Sequence, residues 1–339
     1  MKKYNIAING YGRIGRCVLR ALYESRKFYE AFNLIAINEI ADMDTIYHVT
    51  RFDSTHGRFP ISVEKGENCL KIGKDPIKVF NEQNIENLPW KKLGIDAVLE
   101  CTGFYNDRQS AMMHLKTGAK KVIFSQPSAD DMDATVVYGV NHKILEKEHS
   151  IISNASCTTN CVIPVLHVID KNLGIESGSI TTIHSAMNDQ PVIDAYNSDL
   201  RKTRSALQSI IPVSTELEKG ITKILPSMAD KFESLAIRVP TINVSIMDIT
   251  VMVKTGTDVP KVNAMLTNAS DKELKNIMGV TDENLVSCDF NHDTRSSIVD
   301  LHQTRVSRGC LVKIQAWFDN EWGYSNRMLD TAIAALEAK

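Results

Sequence analysis

The chain has 339 residues, 43% of them apolar and 24% charged, with a formal net charge of −2 at pH 7. That length suggests two domains and is ample for a sizeable core. The near-neutral balance gives no electrostatic reason to expect nucleic acid or an anionic membrane as partner, and no apolar stretch is long enough to span a bilayer. The seven cysteines are odd in number and scattered, without a zinc-like set of histidines beside them. Reduced thiols, no metal and a cytoplasmic location are therefore expected.

The opening Met1-Lys2-Lys3-Tyr4 runs directly into a strand-like stretch, so no export signal is expected. Asn5-Ile6-Ala7-Ile8-Asn9 reads as a short buried strand. Gly10-Tyr11-Gly12-Arg13-Ile14-Gly15 follows at once, and Val18, Leu19, Ala21 and Leu22 continue with helical spacing. Strand, glycine turn and helix together give a GxGxxG pattern its meaning: backbone can approach a pyrophosphate at the helix N-terminus. A second strand, Leu34-Ile35-Ala36-Ile37-Asn38, ends at Glu39. That carboxylate lies 24 residues after Gly15, near the usual offset of about 20 for a group that bonds adenosine ribose hydroxyls. It would repel a 2′-phosphate, so NAD is preferred to NADP. The alternative is a solvated loop acid.

Residues 42–49 suit a short helix, and residues 61–80 suit small antiparallel strands separated by turns. Asp96-Ala97-Val98-Leu99-Glu100 is another buried strand, followed by Cys101-Thr102-Gly103. Residues 107–116 are helical and stop at Gly118. Lys121-Val122-Ile123-Phe124 is a strand ending at Ser125, and Thr135-Val136-Val137-Tyr138 and Ile151-Ile152 complete the set. Alternation of strand and helix implies an α/β unit with a doubly wound parallel sheet, whose ligands bind beyond the carboxyl ends of the strands. Gly10, Glu39, Thr102, Ser125 and Cys157 all fall at such ends.

Ser153-Asn154-Ala155-Ser156-Cys157-Thr158-Thr159-Asn160 is the centre of the chain. Apolar Ile151-Ile152 leads in, and Val162, Val165, Leu166 and Ile169 follow at helical spacing. Cys157 should sit at or just before a helix N-terminus, where the dipole and backbone N–H groups stabilise a thiolate nucleophile. The alternative is a small inert cysteine in a polar turn. Cys161, one turn on, reads as packing. Beyond this helix Ile180-Thr181-Thr182-Ile183-His184 is strand-like, residues 185–209 form a long polar loop, residues 235–254 are extended, and residues 309–318 alternate like a strand. Residues 324–336 form a terminal helix. This half reads as a mostly antiparallel sheet with helices. His184, at a strand end, could accept the Cys157 proton, although a structural histidine fits as well. Arg238, in apolar Ala236-Ile237-Arg238-Val239-Pro240, needs an anionic partner if it is buried.

Asn9-Gly10-Tyr11-Gly12-Arg13-Ile14-Gly15-Arg16, the Ser153-to-Asn160 octapeptide, Thr182-Ile183-His184, Arg238-Val239-Pro240-Thr241 and Asn320-Glu321-Trp322-Gly323-Tyr324-Ser325 resemble the glyceraldehyde-3-phosphate dehydrogenase family along essentially the whole chain. Within it, Ile37-Asn38-Glu39-Ile40, Thr182-Ile183-His184-Ser185-Ala186-Met187 and Arg201-Lys202-Thr203-Arg204 are most similar to the branch that oxidises D-erythrose 4-phosphate. The resemblance implies a Rossmann-type NAD-binding domain over residues 1–155, with a helix at 321–339 packing back on it, and an α+β catalytic domain over 156–320. It implies Cys157 as nucleophile and His184 as its activating base. Gly10, Gly12, Arg13, Ile14, Gly15, Glu39, Gln83, Thr102, Ser125 and Asn320 match its NAD positions. Ser156, Cys157, Thr158, Lys202, Thr215, Glu216 and Arg238 match its substrate positions. The implied partner is a small phosphorylated aldehyde, and the implied assembly a homotetramer. Four departures stand out. Met187 replaces a usual threonine, Glu216 and Glu218 enter a usual Ser-Thr-Gly-Ala-Ala-Lys segment, Glu39 replaces aspartate, and Gln83 replaces arginine, leaving only backbone for an adenine contact. A cofactor-free Cys–His hydrolase or a non-catalytic binding protein is the competing class, against which Glu39 after the glycine turn argues.

Overall fold

A computed structural model describes residues 3–127 and 131–339; Met1 and Lys2 of the opening stretch lie outside them. The chain divides into two compact units, Met1–Ser156 with Ser325–Lys339, and Cys157–Tyr324.

The first unit is built on a nine-stranded sheet. Its centre runs Lys121–Phe124, Ala97–Glu100, Tyr4–Asn9, Phe32–Asn38 and Asp75–Phe80, all mutually parallel. The inner strands are apolar and buried on both faces, as a sheet covered on both sides requires; Ile6, Ala7, Ile8, Val98, Leu99, Val122 and Ile123 are fully enclosed, whereas Asp75–Phe80 alternates and leaves Pro76 and Lys78 exposed. The helix Arg13–Glu24 starts inside the glycine motif and buries Val18, Leu19, Ala21 and Leu22. Trp90, Ile95 and Leu88 close the core against Ala7, Ala36 and Val98. The helices Met43–Arg51 and Arg108–Lys116 are each N-capped by an aspartate, Asp42 and Asp107, whose carboxylates accept from the third-residue N–H.

Two expectations for this unit change. Residues 61–80 do form small strands, but Asp75–Phe80 is antiparallel only to Cys69–Ile72; on its other side it joins the main sheet in parallel to Phe32–Asn38. The strand expected over residues 135–138 shrinks to Ala134–Thr135. There the Asn141 side chain takes over the ladder's role, accepting from Val137 N at 2.7 Å and donating to Thr135 O at 2.9 Å. The short polar side chain outcompetes the sheet for these backbone groups.

The second unit carries an eight-stranded sheet of mostly antiparallel strands. Ile175–His184 lies between Phe232–Arg238, which is parallel to it, and Ser245–Val253, which is antiparallel. The extended stretch expected over 235–254 is two strands. Pro240 has no N–H to donate, and Val244 adopts a left-handed backbone at φ 67°, which turns the chain before Ser245. The helix Cys157–Leu173 packs against Ser245–Val253 and Leu311–Phe318, and beside the helices Leu217–Ile224 and Val259–Asp271. Among the described residues no helix is long and apolar enough to cross a membrane.

Candidate active site

The strand Ile151–Ser153 hands over to the Cys157 helix in three residues. Ser153 Oγ donates to Gln126 O at 2.9 Å and accepts from Ala155 N at 3.1 Å. Ala155 takes a left-handed backbone at φ 54°, a conformation that costs a non-glycine residue about 1 kcal/mol or more. Cys157 is then the first residue of the helix, where sequence placed it. Its chemistry differs from the expectation. Burial pushes the thiol up to about 11; the Arg238 charge and the backbone N–H groups of Thr158 and Cys157 pull the other way and lose, and Glu321 adds to the rise. The dipole argument named a real stabilising term, but desolvation exceeds it, so the resting group is a thiol.

His184 stands 3.8 Å away, Nε2 to Sγ. Its Nδ1 lies 2.8 Å from Ser185 O. A carbonyl only accepts, so Nδ1 carries the proton and Nε2 presents a lone pair to the Cys157 thiol. Burial, with Phe318 packed edge-on against the ring, lowers His184 to about 4; the Ser185 carbonyl opposes this and Arg238 reinforces it. The pair is neutral at rest, and Nε2 is the group placed to take the Sγ proton when the thiol reacts.

Arg238 is the register partner of His184 on the parallel neighbouring strand, so the two side chains stand side by side. The anionic partner expected for Arg238 is Asp189, at 3.4 Å, and Gln190 Oε1 is 3.3 Å away. Lys202 Nζ reaches the other oxygen of Asp189 at 2.7 Å. Burial alone would raise the Asp189 carboxyl, but Lys202 and Arg238 hold it below its usual range. Asp189 and Gln190 were not singled out from sequence; they lie in the long loop after His184, whose polar content was the only signal. Thr215 Oγ1 accepts from Leu217 N, and Glu216 pairs with Lys219 at 2.5 Å. Glu218 bonds Ser234. A Cβ on Gly220 would sit 2.8 Å from Thr159 Oγ1, which brings the Leu217–Ile224 helix hard against the first turn of the Cys157 helix. Ser156 and Thr158 flank the nucleophile in the chain. Asn320 Oδ1 accepts from Ser185 Oγ and Ser245 Oγ, each at 3.0 Å.

In the first unit, Ser125, Thr102, Gly10, Glu39 and Gln83 each follow one of the five adjacent parallel strands, in that order across the sheet. Parallel strands end on one edge, so sequence positions spread over more than a hundred residues line a single crevice mouth. Gly10 has φ 87°, and a Cβ there would meet the Thr102 backbone at 2.5 Å; a Cβ on Gly15 would run into the Gly10 carbonyl. Gly12, by contrast, faces open space, and the first-turn N–H groups of a helix have no intrahelical acceptor. Arg13 sends its side chain to Asp53 at 2.5 Å, which leaves its backbone at the helix tip. Glu39 accepts from Tyr11 N at 2.7 Å and Ile40 N at 2.8 Å, so its carboxylate rests on the glycine turn. Beneath Thr102, buried Glu100 accepts from Thr102 N at 2.8 Å and Asn9 Nδ2 at 2.6 Å. Gln83 is exposed, with its carbonyl facing Tyr105 OH.

Residues 4–108 match the family model for the NAD binding domain of glyceraldehyde 3-phosphate dehydrogenase, and residues 156–320 match the model for its C-terminal domain. The chain belongs to the glyceraldehyde-3-phosphate dehydrogenase family. It is an NAD-dependent oxidoreductase of the aldehyde group, and the glycine turn fits that cofactor. Gly12 opens a cradle that any side chain would fill, and Glu39 sits where a ribose diol needs acceptors. For this family member, Gly15→Ala is expected to weaken NAD binding at least tenfold and to lower the melting temperature, because the new methyl must displace the Gly10 carbonyl that shapes the turn. Titration calorimetry and a thermal melt check both.

Proposed function

We propose that the chain oxidises D-erythrose 4-phosphate to 4-phospho-D-erythronate, with water rather than inorganic phosphate releasing the product. Cys157 Sγ adds to the aldehyde carbon as its proton passes to His184 Nε2, which returns a proton to the new oxyanion and gives a hemithioacetal. Backbone N–H groups at the helix start stabilise that oxyanion, typically by about 3–4 kcal/mol per donor. His184 next removes the hydroxyl proton as hydride leaves the same carbon, and a thioester remains on Cys157. NAD, when bound, supplies the hydride acceptor. After His184 has lost that proton, its Nε2 takes one from water, the water oxygen attacks the thioester, and the acid and the thiol are released. Arg238 and Lys202 are proposed to hold the substrate phosphate, exchanging it for Asp189, with Ser156, Thr158 and Thr215 lining the acyl end. Asn320 is proposed to hold the nicotinamide carboxamide.

The observation that carries the choice of acceptor is the segment Ser214-Thr215-Glu216-Leu217-Glu218-Lys219. Its two glutamates enter a stretch that the family usually keeps uncharged up to the lysine, and its helix abuts the Cys157 helix through Gly220 and Thr159. Carboxylates there disfavour a second, free phosphate by like-charge repulsion. Exposed Met187 adds no hydroxyl donor. A paired assay of erythrose 4-phosphate and glyceraldehyde 3-phosphate, each with and without phosphate ion, tests this. The expected result is a rate on erythrose 4-phosphate that is indifferent to phosphate and a higher kcat/KM for that aldehyde. A strong, saturable stimulation by phosphate, with glyceraldehyde 3-phosphate preferred, would instead identify a phosphorylating glyceraldehyde-3-phosphate dehydrogenase. From the resemblance we infer that the acid product serves pyridoxal 5′-phosphate synthesis and that the protein works in the cytoplasm. We also infer a homotetramer; the exposed apolar side chains Val192, Ile193, Tyr196, Leu207 and Ile210 in the loop after His184 support it, and sedimentation analysis tests it.

A further inference from the structure

Ser185 is completely buried and stands between two proposed working residues. Its carbonyl takes the Nδ1 proton of His184 at 2.8 Å, its N–H donates to Ser245 Oγ at 3.1 Å, and its Oγ lies 3.0 Å from Asn320 Oδ1. Ser245 Oγ lies 3.0 Å from the same Asn320 oxygen. A hydroxyl has one proton to give. Among the described residues the only acceptor in hydrogen-bond contact with either hydroxyl is Asn320 Oδ1, so both protons go there and use both of its lone pairs. The opposite flip of the amide would leave two buried hydroxyl protons without acceptors, at about 1–3 kcal/mol each.

Val244 provides a second, independent observation. It is β-branched and nearly fully enclosed, yet holds φ 67° immediately before Ser245. Such a conformation persists only where its surroundings impose it, and it clusters at working sites. Here the flanking residues are both tied down: Asn243 Nδ2 donates to Asp319 Oδ2 at 2.8 Å, and Ser245 engages Asn320. The strained turn thus grips two consecutive residues, Asp319 and Asn320.

We propose that Ser185 is a positioning residue which, together with Ser245, locks the Asn320 amide so that only its NH₂ is offered, selecting a carbonyl acceptor on the ligand. On the reading that Asn320 engages the cofactor, on which this proposal rests, that acceptor is the carboxamide oxygen of the nicotinamide. The same residue fixes the tautomer of His184 through its main chain, so one buried serine sets both the base and the donor. The side-chain and main-chain roles separate cleanly, because Ser185→Ala deletes the hydroxyl and keeps the carbonyl.

The test compares binding of NAD with binding of ADP-ribose, which lacks the nicotinamide, by calorimetry on the full chain. Ser185→Ala with Ser245→Ala is expected to weaken NAD about tenfold and leave ADP-ribose unchanged, with Ser245→Thr restoring most of the loss in the Ser245 single variant. The pH profile of Cys157 alkylation is expected to stay that of the parent in Ser185→Ala. Asn320→Ala is the benchmark. If it weakens NAD selectively while the serine variants do not, the lock is wrong and the role of Asn320 stands. If Asn320→Ala leaves NAD binding unchanged, the cofactor reading of Asn320 is itself wrong and the lock falls with it. Equal weakening of both ligands by the serine variants would mean a general structural defect and overturn the proposal.

Discussion

Cys157→Ser is expected to lower aldehyde oxidation by about 10⁴-fold or more, with NAD binding within twofold of the parent. Serine is close to cysteine in size, so the surrounding fold and the cofactor turn survive, although its shorter C–O bond leaves the oxygen out of hydrogen-bond reach of His184 Nε2, which the sulfur meets at 3.8 Å. What is lost is acidity and nucleophilicity. A hydroxyl is a far weaker acid than a thiol, and this position already disfavours charge: burial lifts even the thiol to about 11. An alkoxide would have to form at the same half-buried position beside a base lowered to about 4. Steady-state assays paired with calorimetry give the result, and near-parental turnover in the serine variant would remove the nucleophile from the scheme.

His184→Asn should reduce kcat by about 10²–10⁴-fold, the usual contribution of a positioned general base. Its pH behaviour is more diagnostic. With the parent pair neutral at rest, iodoacetamide should alkylate Cys157 in the cofactor-free protein at a rate that climbs about tenfold per pH unit above neutrality and levels only near pH 11. A preformed thiolate–imidazolium pair would instead plateau near pH 6. Stability is linked to the same histidine. Its folded value, about 4, lies below its ordinary 6.5, so the unfolded chain takes up the proton first as pH falls. The associated stability is fully present above pH 6.5 and drains away towards pH 4, a loss of about 3 kcal/mol. Asparagine carries no such proton. The variant's denaturation midpoint is therefore expected to fall less steeply than the parent's between pH 6.5 and 4, measured by urea titration at several pH values.

The glycine turn, the buried strands and the start of the Cys157 helix were legible because each is a local pattern, set by apolar periodicity and by residues that tolerate special backbone angles. Gly10, Glu39, Thr102, Ser125 and Cys157 could be grouped for the same reason: each follows a strand end, and parallel strands share an edge, whereas Gln83 was reached only through the family resemblance. The second unit was read more coarsely. The break after Arg238 depends on Pro240, which sequence displays, but also on the left-handed Val244, which no propensity suggests. Asp189 was invisible as the partner of Arg238 because their pairing is made by a loop folding back on a strand end.

Sequence by itself determined the α/β character of the first unit, the dinucleotide turn and the choice of NAD, and it singled out Cys157 and His184, which the structure brings to within 3.8 Å of each other. These follow from interactions within a few residues, whose spacing the chain carries openly. Tertiary structure decided the charge state of those two groups, the carboxylate that neutralises Arg238 and Lys202, and the serine junction behind His184 and Asn320. His184 is buried and Cys157 half-buried by side chains that come from distant parts of the chain. Desolvation of a titratable group is therefore a property of the packed whole, and it here outweighs the local helix-terminus effect that the sequence alone revealed.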